Sequence, residues 1–225
     1  MSAAFARIRV WDLPTRIFHW ALAALAVFSF TTGKIGGDWM AWHLKSGYAI
    51  LVLVLFRLAW GFAGSRTARF AHFVRGPRSA MGYARGLLAG RPAREVGHNP
   101  LGGWMIVLML AAIAFQAATG LFADDEIATQ GPLAAKVSNA VVSRMSALHS
   151  ANEWIIAALV ALHVLAIVVY RLAWKTPLAA AMVHGWMDAP AGAEEPARRP
   201  AWLALVVLAL AALAVYALVE IYPMR

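Results

Sequence analysis

The chain has 225 residues, of which 62% are hydrophobic and 14% charged, with no cysteine and a formal net charge of +9. A charged fraction so far below the roughly one quarter usual in soluble domains excludes an ordinary water-soluble fold and points to a membrane protein. The lack of cysteine excludes disulfides, iron–sulfur clusters, thiolate zinc sites and thioether-attached cofactors, so a metal here must be held mainly by nitrogen. The cations are unevenly placed. The N-terminus, the 64–101 loop and the 172–200 loop with Arg171 at its border hold fourteen Lys and Arg, against five (Lys34, Lys45, Lys136, Arg144, Arg225) on the other side. That bias is the positive-inside signature of a cytoplasmic N-terminus and argues against a nucleic-acid surface.

Five windows are long and apolar enough to cross a bilayer core, which takes about 20 helical residues: 15–33, 44–63, 102–122, 152–171 and 201–220. "VWDLPTRIFHW" opens the first, with Asp12 or Thr15 available to cap, Pro14 in the first turn and His19 near the cytoplasmic end. No A-x-A-like cleavage site follows, so this span reads as a retained helix. "WHLKSGY" starts the second span from the periplasmic side and brings His43; Arg57 lies further along it, where a charge is expensive. The basic 64–100 loop holds "SAMGYARGLLAG", an amphipathic stretch expected to lie against anionic lipid headgroups. "GHNPLGGW" leads into the third span, and the loop after it has room for a short amphipathic helix around 133–145. The fourth span contains "LHSANEWIIAALVALH", and the fifth has no ionisable residue before Glu220. The organisation read from this is a four-helix bundle over 1–175, a cytoplasmic linker over 176–200 and a C-terminal transmembrane helix over 201–225.

His149 and His163 stand fourteen residues apart in the fourth span. Fourteen helical residues rise about 21 Å and complete nearly four turns, so the two imidazoles point the same way at two depths. With the N-terminus inside, the histidines sort by depth into His43 with His149 and His19 with His163. Each pair draws on two helices, which is what bis-imidazole ligation of a haem iron inside a bundle requires. The competing reading is four unrelated polar residues, each hydrogen-bonded to a neighbour or to interfacial water. Arg57 stands fourteen residues after His43, near the depth of the inner pair, where it would either meet a haem propionate or snorkel to the interface. Gly47 and Gly120 leave room for a flat macrocycle or for close helix packing.

The segments "RIFHW", "HLKSGY" with "FRLAWG", "GHNPLGG" and "LHSANEW" with "LH" resemble, in order and spacing, the bacterial cytochrome b561 family, which includes the b-type cytochrome subunits of nickel–iron hydrogenases and formate dehydrogenases. The resemblance covers about residues 10–175. It implies two haem b groups, the cytoplasmic-side one on His19 and His163 and the periplasmic-side one on His43 and His149. It also implies quinone chemistry beside the cytoplasmic-side haem, where His98, Asn99, Arg16 and Arg171 would fall. His72 and His184 are expected to be solvated loop residues.

The function expected is single-electron transfer between a periplasmic redox partner, a cytochrome c or a dehydrogenase or hydrogenase subunit, and the quinone pool of a bacterial inner membrane. "ADDE" at 123–126 would offer acidic charge to a basic partner. The alternatives are a free-standing superoxide:quinone oxidoreductase, which would make the chain an enzyme, and a haem-containing anchor for a catalytic partner. A channel or transporter would want acids deep in its spans, and none is present.

Overall fold

The computed structural model describes residues 5–90, 95–190 and 192–224. Arg91, Arg94 and Arg225, counted in the charge asymmetry, lie outside the described residues. The elements in chain order are β1 (Phe5–Arg9), α1 (Leu13–Ile35), α2 (Met40–Ala63), α3 (Phe70–Phe73), α4 (Pro77–Leu88), α5 (Pro100–Gly120), α6 (Asn139–Ala173), α7 (Leu178–His184), β2 (Trp186–Pro190) and α8 (Ala201–Tyr216). Five helical stretches are long and apolar enough to cross a membrane: Leu13–Ile35, Gly37–Ala63, Pro100–Gly120, Asn139–Ala173 and Ala201–Ile221. Bulky apolar side chains on them stay exposed, Val27 at 70%, Trp154 at 64% and Leu205 at 67% among them. Such a surface suits lipid and not water.

The fourth span differs from its expected limits. The short helix expected around 133–145 is not separate: Ala134–Lys136 form one 3-10 turn, and from Asn139 the chain is already part of α6, which runs unbroken for 35 residues. Nothing between 139 and 152 breaks a helix, since that stretch holds no glycine or proline. The amphipathic helix of the basic loop is present as α4, with Pro77 at its start.

The chain divides into two compact units, each built from three stretches: Met1–Ile17, Leu58–Leu108 and Ala161–Ala204 in the first, Phe18–Arg57, Met109–Val160 and Leu205–Arg225 in the second. The first unit contains an element that periodicity did not predict. β1 pairs antiparallel with β2, with Arg7 opposite Asp188 and Arg9 opposite Trp186, so residues 178–190 of the expected linker form a helix and a strand. Gly185 ends α7 in the left-handed region at φ 88°. Its carbonyl accepts from Val10 and Trp11 N–H groups at 2.8 and 3.1 Å, and an added Cβ would meet the Trp11 carbonyl oxygen at 3.0 Å. Asp12 caps α1 by accepting from Thr15 N–H at 2.8 Å and also accepts from the Trp60 indole at 3.2 Å. Burying that carboxylate (4% exposed) is tolerable because both oxygens are hydrogen-bonded.

The second unit has two apolar clusters. One joins Ile50, Val54 and Ile113 to Leu22, Leu25, Ala114 and Ile156. The other joins Leu51, Leu121 and Leu133 to Val215, Leu218 and Val219. Through the last three residues, the fifth span is packed into this unit.

Candidate functional site

Within the second unit, His43 in the first turn of α2 and His149 in α6 face each other. Their ring centres are 6.0 Å apart and their planes stand at 87°. Two imidazole nitrogens, each about 2 Å from one metal ion, put the ring centres about 6 Å apart. Each ring is held by its inner nitrogen. His43 Nδ1 lies 2.9 Å from the Ser29 carbonyl oxygen on α1, and His149 Nδ1 lies 3.0 Å from the Gln116 carbonyl oxygen on α5. A carbonyl oxygen can only accept, so both Nδ1 atoms carry the proton and both Nε2 atoms keep a lone pair. Metal-ligating histidines are oriented this way.

The rings reach those carbonyls because glycine stands beside each. A Cβ on Gly33 would sit 2.8 Å from His43 Nδ1, and one on Gly120 would sit 2.9 Å from His149 Cε1. Helical Cβ atoms lean toward the N-terminus, so residue i+4 covers the carbonyl of residue i; Gly33 and Gly120 are the i+4 positions of Ser29 and Gln116. Gly120 therefore admits the His149 ring itself. Gly47, by contrast, has nothing within 4 Å of an added Cβ and faces a cavity of about 330 Å³, lined also by His43, His149, Gln116, Lys34 and Asp124. That volume falls in the range of ligand pockets.

Among the described residues no three of His, Cys, Asp and Glu come together as a metal site. Two nitrogens do not complete a metal's coordination, so the remaining ligands would have to come from a flat group occupying the cavity. A haem fits this requirement: it fills a slot between two facing imidazoles and asks the protein for axial nitrogens alone.

Polar residues outside the slot fix its walls. Asn152, 5% exposed, donates to the Ala112 carbonyl at 2.9 Å and to Gln116 Oε1 at 2.8 Å, while Gln116 Nε2 donates to the His149 carbonyl at 3.0 Å. At the cavity mouth Lys34 pairs with Glu153 and lies 5.4 and 5.3 Å from the Phe30 and Trp154 ring centres. The Asp125 carboxylate accepts from the N–H groups of Thr129, Ala128 and Ile127 at 2.8, 2.9 and 3.0 Å. Those bonds, the one to Thr129 foremost, lower its pKa to about 2. The "ADDE" loop therefore keeps this negative charge at any physiological pH, and it is a shaped turn rather than a loose acidic tail.

The other predicted residues are placed as follows. His19 is on α1 in the second unit, edge-on to Trp20 at 4.9 Å, and Arg57, also in the second unit, is 3% exposed, so its guanidinium stays inside the protein rather than snorkelling. His163 is half-buried on α6 in the first unit. The four quinone candidates all belong to the first unit. His98 lies between Trp11 and Phe73, with ring centres 4.4 and 4.8 Å away. Asn99 caps α5, accepting from Gly102 N–H at 2.8 Å, and donates to the Tyr170 hydroxyl at 3.1 Å. Tyr170 in turn meets the Tyr83 hydroxyl of α4 at 2.7 Å. Burial, followed by this hydrogen bond, pushes the Tyr83 phenol well above its usual pKa. Arg16 donates to the Val183 carbonyl, and exposed Arg171 lines a groove with Leu172 and Pro177. His72 is half-buried, and burial, then the Arg66, Arg75 and Arg69 charges, lower its pKa; His184 is exposed.

The model of the family described as prokaryotic cytochrome b561 matches residues 10–185. The chain belongs to that family. It is a multi-pass membrane b-type cytochrome, and membership implies haem b and a role in electron transfer. A probable Ni/Fe-hydrogenase B-type cytochrome subunit of Cupriavidus necator is 24% identical over 210 residues, covering 79% of this chain and 85% of that protein. A probable Ni/Fe-hydrogenase 1 B-type cytochrome subunit of Escherichia coli K12 is 29% identical over 118 residues, 41% of this chain and 49% of that protein. The chain thus spans about half the length of the Escherichia coli relative that it matches. No solved structure matches the chain.

Proposed function

We propose that this b-type cytochrome relays single electrons between a periplasmic redox partner and the quinone pool of a bacterial inner membrane, with its N-terminus in the cytoplasm. One haem b would be held by His43 and His149 and a second by His19 and His163. The observation that carries the reading is the His43 and His149 geometry: rings 6.0 Å apart, each Nδ1 committed to a carbonyl, beside a ligand-sized cavity. The second haem rests on the sequence, where His19 and His163 fall at one depth of two spans.

When bound, a haem with two axial imidazoles supplies one-electron exchange and no open position for small-molecule chemistry. The chain's own residues do the rest. Ser29 and Gln116 fix the imidazole tautomer, Gly33 and Gly120 let the rings in, and Asn152 locks Gln116. Lys34 and the buried Arg57 are cations suited to propionates. His98, Asn99, Arg16 and Arg171 are proposed to serve quinone; Asn99 would do so while capping a helix.

The relatives' names favour an oxidoreductase subunit as partner over a free-standing role, and the Asp125 turn keeps negative charge for a basic docking face or a cytochrome c. The test is to add a short-chain quinol to the detergent-purified, haem-loaded chain and follow the haem spectrum. Reduction that is slowed in Asn99→Ala at unchanged haem content is expected. A fully loaded chain that no quinol reduces and no quinone reoxidises contradicts the quinone half of the proposal.

A further inference from the structure

The chain contains two Thr-Gly dipeptides, Thr32-Gly33 and Thr119-Gly120. Each stands at the same place relative to a histidine-holding carbonyl. The Thr32 hydroxyl donates to the Ser29 carbonyl at 3.1 Å and to that of Phe28 at 2.9 Å. The Thr119 hydroxyl donates to the Gln116 carbonyl at 3.0 Å and to that of Phe115 at 2.9 Å. Thr32 is 1% exposed and Thr119 3%, so water does not compete for these bonds. Each hydroxyl has one proton, shared in a three-centre bond between those two carbonyls, so the carbonyl that holds each imidazole accepts an N–H of the ring and part of an O–H three residues on. A buried threonine bonded back to its own helix adds nothing to helix stability, and its recurrence on both helices whose carbonyls hold the rings calls for another role.

We propose that Thr32 and Thr119 are positioning residues that set the electron-donating strength of His43 and His149, and through it the redox potential of the haem they hold. The inference rests on the haem reading above. A hydroxyl proton draws charge from the carbonyl oxygen and leaves it a weaker acceptor for the imidazole N–H. A weaker acceptor makes the ring less imidazolate-like, and a less basic axial ligand favours the ferrous state. Threonine therefore raises the potential.

The two sites are not equivalent. Thr119 Oγ1 also lies 3.3 Å from His149 Nδ1, whereas the second oxygen near His43 Nδ1, at the same 3.3 Å, belongs to Ser29. Removing the Thr119 hydroxyl takes away a polarising donor and a secondary acceptor together, with opposing effects, so the effect at Thr32 is the larger.

The test is a spectroelectrochemical titration of the haem-loaded chain with valine, cysteine or serine at position 32, beside His43→Ala, which identifies the haem to follow by its loss. Thr32→Val is expected to lower the midpoint potential of that haem alone, at unchanged haem content. Thr32→Ser should restore the parent value, and Thr32→Cys, with its weak S–H donor, should fall between. Thr119→Val should give a smaller shift. If Thr32→Val loses haem, the serine and cysteine proteins decide. Haem lost in His43→Ala but equal potentials across the Thr32 series, or a rise in Thr32→Val, overturns this inference alone. Full haem retention in His43→Ala overturns the site and the inference with it.

Discussion

His43 and His149 in the second unit are used in the opposite way to His98 in the first. In the second, His43 and His149 each press one edge against a glycine and a carbonyl and leave the other edge facing open space. In the first, His98 is flanked by the Trp11 and Phe73 rings, and the neighbouring polar groups of Asn99, Tyr170 and Tyr83 hydrogen-bond to one another. The first arrangement supplies an oriented lone pair and room for a ligand. The second spends hydrogen bonds between its own members, which ties loop to helix. A histidine at the end of an apolar span is thus not a ligand by its type alone; what lies on each side of the ring decides.

Changes at the His43 and His149 slot should empty a cofactor site, and changes in the hydrogen-bonded cluster around Tyr170 should cost stability. The largest effect is expected for His43→Ala or His149→Ala: loss of one haem per chain by pyridine haemochrome assay, with the protein still in the membrane. Next comes the wall. Gly33→Leu or Gly120→Leu extends a side chain from a Cβ already 2.8 or 2.9 Å from a ring atom, and should displace the ring and the same haem; full haem content in either variant would break the account of the glycines.

Tyr170→Phe removes the hydroxyl shared by Asn99 and Tyr83. It should cost about 1–3 kcal/mol of stability, read as a lower thermal midpoint in detergent, and leave haem content unchanged. Loss of haem there would erase the distinction between the two regions.

The smallest effect is expected at Asp125. With its folded pKa lowered from 3.8 to about 2, its contribution is fully present above about pH 3.8 and is lost as pH falls through about 2. Limited proteolysis of the 124–130 loop should therefore be flat between pH 5 and 8. Asp125→Asn, which keeps an acceptor oxygen, should change it little, and Asp125→Ala should open the loop to cleavage.

Much of this was legible in the sequence because hydropathy and helical arithmetic act over long stretches. The five spans, the amphipathic helix and the pairing of His43 with His149 all follow from 20-residue apolar windows and a fourteen-residue spacing. The residues that shape the slot were not legible in the same way. Ser29 and Gln116 act through backbone carbonyls, which no side-chain pattern reveals, and Gly33, close to the glycines that end its span, bears no mark of being the counterpart of Gly120. The repeated Thr-Gly pair was the available signal. Asn152 lay in the middle of "LHSANEW" and carried no spacing rule. The β1 and β2 pair escaped because two five-residue strands far apart in the chain have no periodicity distinct from loop, and Tyr170 because nothing local links it to Tyr83 at a distance of 87 residues.

The most direct test of the central claim is the electron paramagnetic resonance spectrum of the oxidised chain, in the parent and in His149→Ala, at known haem per polypeptide. Near-perpendicular imidazole planes, at 87° here, would leave two d orbitals of an iron held between them almost equal in energy. The expected result is a strongly anisotropic low-spin signal that disappears in His149→Ala together with one haem. A haem-replete parent whose signals are all unchanged by His149→Ala would contradict it.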